Sequence, residues 1–152
     1  MTTHLGIMEN HQVVVVAKFD LSGDSSFGTW IGKRMDLHST GMGKAIIAHL
    51  PDEKLDFINR GLQKHNENTI CSAKKLKEDL ARCLQRGYAI NDEENQLGSL
   101  CLGAPIFGHD NRVVASISIC GTSAQITPHN VPGLASELTQ TANMISREIR
   151  ND

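Results

Sequence analysis

The chain has 152 residues, 39% of them hydrophobic and 21% charged, with a formal net charge of -2. That is enough chain for one domain with a real core and too little for two comfortable ones, and the near-neutral balance offers no basic surplus for nucleic-acid binding by these residues themselves. The longest apolar run, 13–17, is far short of a membrane span, and no signal peptide opens the chain, so a cytoplasmic location is expected. The four cysteines, Cys71, Cys83, Cys101 and Cys120, make no CxxC pair and keep no zinc-finger spacing with the seven scattered histidines; reduced thiols, no metal and no cofactor are the expectation.

Residues 4–8 and the β-branched run at 12–19, separated by Asn10 and His11, read as an antiparallel hairpin. A strand so close to the start reads as the opening of an excised domain or of a small intact protein. Residues 21–28, rich in Ser, Gly and Asp, read as a loop, and 29–31 as a short strand. Ser39 or Thr40 can cap a helix over 41–50, and Pro51 and Asp52 open a second short helix ending near Gly61. Ser72 is a good N-cap for a helix over 73–86 that places Leu76, Leu80, Cys83 and Leu84 on one face and stops at Gly87. A short strand at 88–90 precedes two long ones at 97–107 and 112–120. Val131, Leu134, Leu138, Ala142, Ile145 and Ile149 step by three and four, which makes a closing helix over 131–150. Strands, helices, strands and helix in that order predict an α+β fold with a mainly antiparallel sheet, in a single domain over 1–152.

The stretch LHSTGMGKAIIAHL, residues 37–50, raises the first chemical question. A P-loop needs GxxxxGK followed by Ser or Thr; here Ala45 follows Lys44 and His38 stands five before Gly43. What survives is a helix start whose Gly41, Met42 and Gly43 amides have no intrahelical partner and can attract a carboxylate as well as a phosphate. Gly41 and Gly43 would let a ligand approach the backbone. The plainer alternative is a Ser39 or Thr40 cap with glycines that only permit tight packing.

The hairpin 97–120 carries the second feature. Side chains alternate along a strand, so Ser99, Cys101 and Gly103 share one face of the first strand, and Ser116, Ser118 and Cys120 one face of the second. A loop of Gly108 to Asn111 sets Cys101 opposite Ser118; a two-residue loop of Asp110 and Asn111 sets it opposite Cys120; a three-residue loop breaks the common face. A small-polar face of this kind suits a pocket floor or, alternatively, a solvent-facing side. The acidic run 92–94 lacks calcium-loop spacing and reads as a solvated bend, whereas the Asn91 amide beside it can donate to a carboxylate or carbonyl. Cys101 has no histidine next to it in sequence to activate it as a nucleophile.

Taken together, LHSTGMGKAIIAHL, LKEDLARCLQRGYAINDEENQLGSLCLGAPIF and RVVASISICG resemble the C-terminal effector-binding domain of IclR-type bacterial transcription regulators. The resemblance covers nearly the whole chain. It implies a GAF-like domain, a curved, mainly antiparallel sheet with helices packed around it, and a regulatory rather than catalytic role. It implies a small organic acid held between sheet and glycine turn, its carboxylate on the Gly41 and Met42 backbone, with polar contacts from Asn91, Cys101, Ser118 and Cys120 and apolar walls from Met35, Trp30 and Leu100. Acid-binding relatives often have aspartate where Asn91 stands and serine where Cys120 stands; a neutral amide favours a more anionic or acceptor-rich effector. DNA contact is expected only through the family's N-terminal winged helix-turn-helix, outside these residues, and a homodimer or homotetramer is implied. The alternative is a GAF-like, cysteine-dependent small-molecule reductase using Cys101 with Cys120.

Overall fold

The structure, a computed structural model, describes residues 1–21 and 27–152; most of the loop expected at 21–28 falls on 22–26, outside the described residues. Strands β1 (Thr2–Glu9) and β2 (Gln12–Asp20) form the expected hairpin. Its two-residue turn has Asn10 and His11 at φ 51° and 60°, the left-handed pair whose twist matches a tight hairpin. The strand expected at 29–31 is not formed. Gly32, at φ 91°, and the bond from Lys33 N–H to the Trp30 carbonyl make a turn there, and the strand that follows is β3, Arg34–Asp36.

Helix α1 is Gly41–Ile47, shorter than expected, and Asp52–Arg60 is a 3₁₀ segment rather than an α-helix. Helix α2, Ala73–Arg86, starts at Ser72, whose side chain accepts from Lys75 N–H, and stops at left-handed Gly87, as its sequence signals require. Asp79 takes an inward place on this helix, while Leu84, expected on the apolar face, is exposed. Strands β4 (Ala89–Asp92), β5 (Ser99–Phe107) and β6 (Val113–Thr122) and helix α3 (Val131–Asn151) complete the chain.

The six strands make one antiparallel sheet in the order β3-β2-β1-β6-β5-β4. Apolar side chains collect in two cores, one on each face. On one face Leu102, Ala104, Ile106 and Ile117 meet Ala135, Leu138 and Ala142 of α3. On the other, Val13 and Val15 meet α1, the 3₁₀ segment and the Leu76, Leu80 and Cys83 stripe of α2.

The β5–β6 connection shows how register survives an odd loop. Gly108 N–H bonds the Arg112 carbonyl, and Asn111, at φ 53°, closes a three-residue loop. Alone, that loop would turn the small polar groups of the two strands to opposite faces. A bulge between Ile106 and Phe107 restores the register, so Cys101 pairs with Cys120 and Gly103 with Ser118.

Candidate functional site

Two cross-strand rows build the floor of a cavity. Thr2, Cys120, Cys101 and Asn91 pair in succession across β1, β6, β5 and β4, and His4, Ser118, Gly103 and Ala89 form the next row. The polar members are buried: Thr2 1% exposed, His4 2%, Asn91 2%, Ser118 1% and Cys120 7%. The solvent-facing alternative for this sheet side is therefore excluded, and the reason is α1 lying across it.

Helix α1 is held against the floor through its backbone. A Cβ at Gly41 would sit 3.3 Å from Gly103 N and 3.4 Å from the Cys101 carbonyl oxygen, and one at Gly103 would collide with the Gly41 carbonyl. A Cβ at Gly43 would collide with the Leu37 backbone. These glycines make room for strand and turn, the packing role held open for them from the sequence, and Gly41 also lines the cavity. Ser116 Oγ donates to the Met42 carbonyl at 3.0 Å and completes the attachment.

The helix start has both readings at once. Thr40 caps it, its Oγ1 accepting from Gly43 N–H at 3.1 Å, and Lys44 N–H bonds the Thr40 carbonyl. The amides of Gly41 and Met42 have no acceptor among the described residues, and both residues line the cavity. Unpaired amides at a helix start carry partial positive charge toward whatever faces them.

All six residues singled out from the sequence, Gly41, Met42, Asn91, Cys101, Ser118 and Cys120, line this one cavity. Of the three expected walls, Met35 lines it; Trp30 is 61% exposed, with the Lys33 ammonium 4.8 Å above its ring, and Leu100 packs with the α3-side core because its strand parity is opposite to that of Cys101. The sequence reading placed Ser99 on the polar face and Thr40 at the cap without assigning either to the site, and it missed His4 altogether. His4 shares its ring nitrogens between Thr29 Oγ1 at 2.9 Å and Ser118 Oγ at 3.5 Å. Its alternation along β1 was visible, but its place beside Ser118 depends on β1 pairing with β6.

Asn91, which lines the cavity, accepts at Oδ1 from Glu94 N–H at 2.9 Å, a bond that leaves Nδ2 free to donate. The cysteines share a proton unequally. A hydrogen bond from Cys101, with further bonds from His4 and Ser118, lowers the Cys120 thiol to about 6 against the opposing effect of burial. The same contact, with burial, pushes Cys101 well above the ordinary thiol value. All four cysteines are free.

The acidic run is less solvated than expected. Lys44, wholly buried, binds Asp79 Oδ2 at 2.8 Å and Glu94 Oε1 at 2.7 Å. Burial raises the Glu94 carboxyl, more than its contact with Lys44 lowers it.

The family described as "Bacterial transcriptional regulator IclR C-terminal" matches residues 1–147. This chain belongs to the IclR family. It is 30% identical to the transcriptional repressor IclR of Escherichia coli, over 95% of this chain and 54% of that protein. The crystal structure of the Thermotoga maritima IclR superposes with TM-score 0.94 at 32% identity, covering 98% of this chain and 61% of that one. A double mutant of the PobR inducer-binding domain from Acinetobacter, in complex with 3-hydroxybenzoic acid, shares the fold with TM-score 0.84 at 22% identity, over 98% of this chain and 87% of that one. The chain thus spans little more than half of the E. coli repressor, in the effector-binding part of an IclR-family transcription regulator.

Proposed function

We propose that this domain senses a small organic acid. The carboxylate would sit on the Gly41 and Met42 amides; Asn91 Nδ2, Ser118 and Cys101 would fix its remaining polar groups; and Cys120 and His4 would set the charge of the floor. The observation that carries the reading is that the unpaired amides of α1 and the thiol and hydroxyl rows of β5 and β6 meet on one cavity. The cavity is about 40 Å3, on a measure in which one water takes roughly 10–15 Å3. It has room for about three or four water-sized groups, the bulk of a two- to four-carbon acid and less than the aromatic acid in the PobR complex. At about 1.5 kcal/mol per heavy atom, a five- or six-atom acid has at most roughly 8–9 kcal/mol available, which is micromolar binding.

In the full regulator, the acid would shift the balance between states that hold a separate N-terminal domain differently on DNA. Differential affinity for those states is the only means it has. The working unit would be a homodimer or homotetramer in the cytoplasm. The test is a thermal-shift screen of small carboxylates, from glyoxylate and pyruvate to benzoates. An effector at a hundred times its Kd adds about 2.7 kcal/mol and raises the melting temperature by about 5–10 °C; a screen with no shift from any carboxylate would remove the reading.

The Cys101–Cys120 pair keeps the reductase alternative in view, since a lowered thiol beside a second one is the arrangement such chemistry uses. Both sulfurs are buried and the cavity is small, which favours holding an acid over turning over a substrate. Turnover of a sulfoxide with a thiol reductant would reverse that preference.

A further inference from the structure

The histidines that look scattered in the sequence do not stay apart. Asp36 at the end of β3, His38 two residues later and His65 from the 61–72 connection each bring one ligand atom to within 4.8 Å of the others. His65 Nε2 already lies 2.8 Å from Asp36 Oδ2. We propose that these three side chains form a binding site for a divalent transition-metal ion of borderline softness, with Zn2+ as the type.

The donor set suits such an ion. Two imidazoles and a carboxylate are the ligands of open zinc sites, where protein supplies three positions and water or another ligand takes the rest. One imidazole is sorted in advance, whereas His65 Nε2 donates to the Asp36 carboxylate and releases that proton to solvent when a metal binds. His38 Nε2 lies 2.8 Å from the Gln63 carbonyl, which can only accept, so Nε2 carries the proton and Nδ1 keeps the free lone pair. A metal-bound imidazole is held in this way, its second nitrogen donating to a backbone oxygen. His38 is buried, whereas the Asp36 and His65 side chains are 30% and 28% exposed. The ion would therefore have one rigid ligand and two that can close on it. Tetrahedral zinc sets its ligand atoms about 3.4 Å apart, so an approach of about an ångström by the exposed pair completes the geometry.

Asp36 and His65 stand on anchored backbone. The Asp36 carbonyl accepts from Thr40 Oγ1 at 2.8 Å, Asp36 pairs with Gln12 in the sheet, and His65 N–H donates to Thr69 Oγ1 at 3.1 Å. The depression lined by Asp36 and His65, with His38 buried beside it, also holds Lys33 and Arg34, whose charges oppose a cation; Arg34 is offset by its ion pair with Glu9. The site adjoins the acid-binding cavity without using its polar residues, so it stands whether or not an acid binds there. A metal here would clamp residues 61–72 to the turn that starts α1.

The chelator-treated chain should be titrated with Co2+, and Zn2+ affinity then measured by competition with a chromogenic chelator. The expected result is about one ion per chain, with a visible ligand-field spectrum and no thiolate-to-cobalt charge-transfer band. His65→Ala, a change at a partly exposed side chain, should keep the metal-free melting temperature and weaken binding at least about tenfold. Asp36→Asn, which preserves shape, should also weaken it. Stoichiometric binding that survives both substitutions, a thiolate band in its place, or no binding at micromolar metal would overturn the proposal.

Discussion

The two faces of strands β5 and β6 are made of alternate residues from the same segments and have different work. Toward α3 the strands present Leu102, Ala104, Ile106 and Ile117, which close a core. Toward α1 they present Ser99, Cys101, Ser116, Ser118 and Cys120, with Gly103 in the middle where a backbone must come close. Burial is similar on both sides, so burial alone does not separate core from site. The separation lies in side-chain chemistry: the site face is made of short polar groups that bond one another and nearby backbone, beside Gly41 and Met42 amides that have no acceptor among the described residues.

The difference can be broken most severely at the ion pairs of Lys44. Lys44→Met leaves Glu94 buried without its cation beside Asp79, which keeps Arg82 at 3.2 Å, and should cost about 3–5 kcal/mol in urea unfolding. On the opposite face, Leu102→Ala should cost about 2–5 kcal/mol by the same measurement while leaving acid affinity unchanged in the folded protein. Ser118→Leu is the reverse case. It fills the cavity, so calorimetry with the acid found by screening should show binding weakened about a hundredfold or more, in a protein still folded by circular dichroism. Undiminished binding by this variant would remove Ser118 from the site.

Cys120 sharpens the comparison through charge. With its thiol near 6, it is an anion at neutral pH facing an anionic ligand. Affinity for a carboxylate should therefore rise as pH falls through about 6, when the thiolate takes up its proton. Unit charges about 6 Å apart at an effective dielectric near 20 repel by roughly 2–3 kcal/mol, so Cys120→Ser should tighten binding about thirty- to a hundredfold at pH 8 and flatten the pH profile. The smallest effect lies on neither face. Burial holds His49, edge-on to Phe107 at 5.0 Å, below its ordinary value of 6.5. Its contribution is present above 6.5 and is lost as pH falls through the lowered value, when the half-buried ring must charge. His49→Gln should therefore recover about 1–2 °C of melting temperature at pH 5 and leave pH 8 unchanged.

How much of this was legible follows from the range of the interactions. Ser72 and Gly87 bounded α2 because caps act within a few residues. Strand alternation assembled the Cys101, Ser118 and Cys120 face without coordinates, and of the two registers held open the structure has the one with Cys101 opposite Cys120, reached through a bulge that no local pattern announced. The glycine turn was legible as a helix start with glycines for tight packing or a ligand, but not which strand Gly41 meets, because that strand lies some sixty residues away. His4, the buried Lys44–Glu94 pair and the Asp36, His38 and His65 cluster depend on contacts between distant segments. Single-sequence periodicity carries no information about those.

The most direct measurement follows the backbone amides of Gly41 and Met42 by 15N NMR during titration with the acid chosen by screening. Saturable shifts that are largest at these two amides, accompanied by Ser118 and Cys120 and absent from Leu102, Ile117 and α3, are the predicted result. Saturable binding that leaves the Gly41 and Met42 amides unmoved, or moves the α3 face instead, would contradict the proposal that the start of α1 grips the ligand.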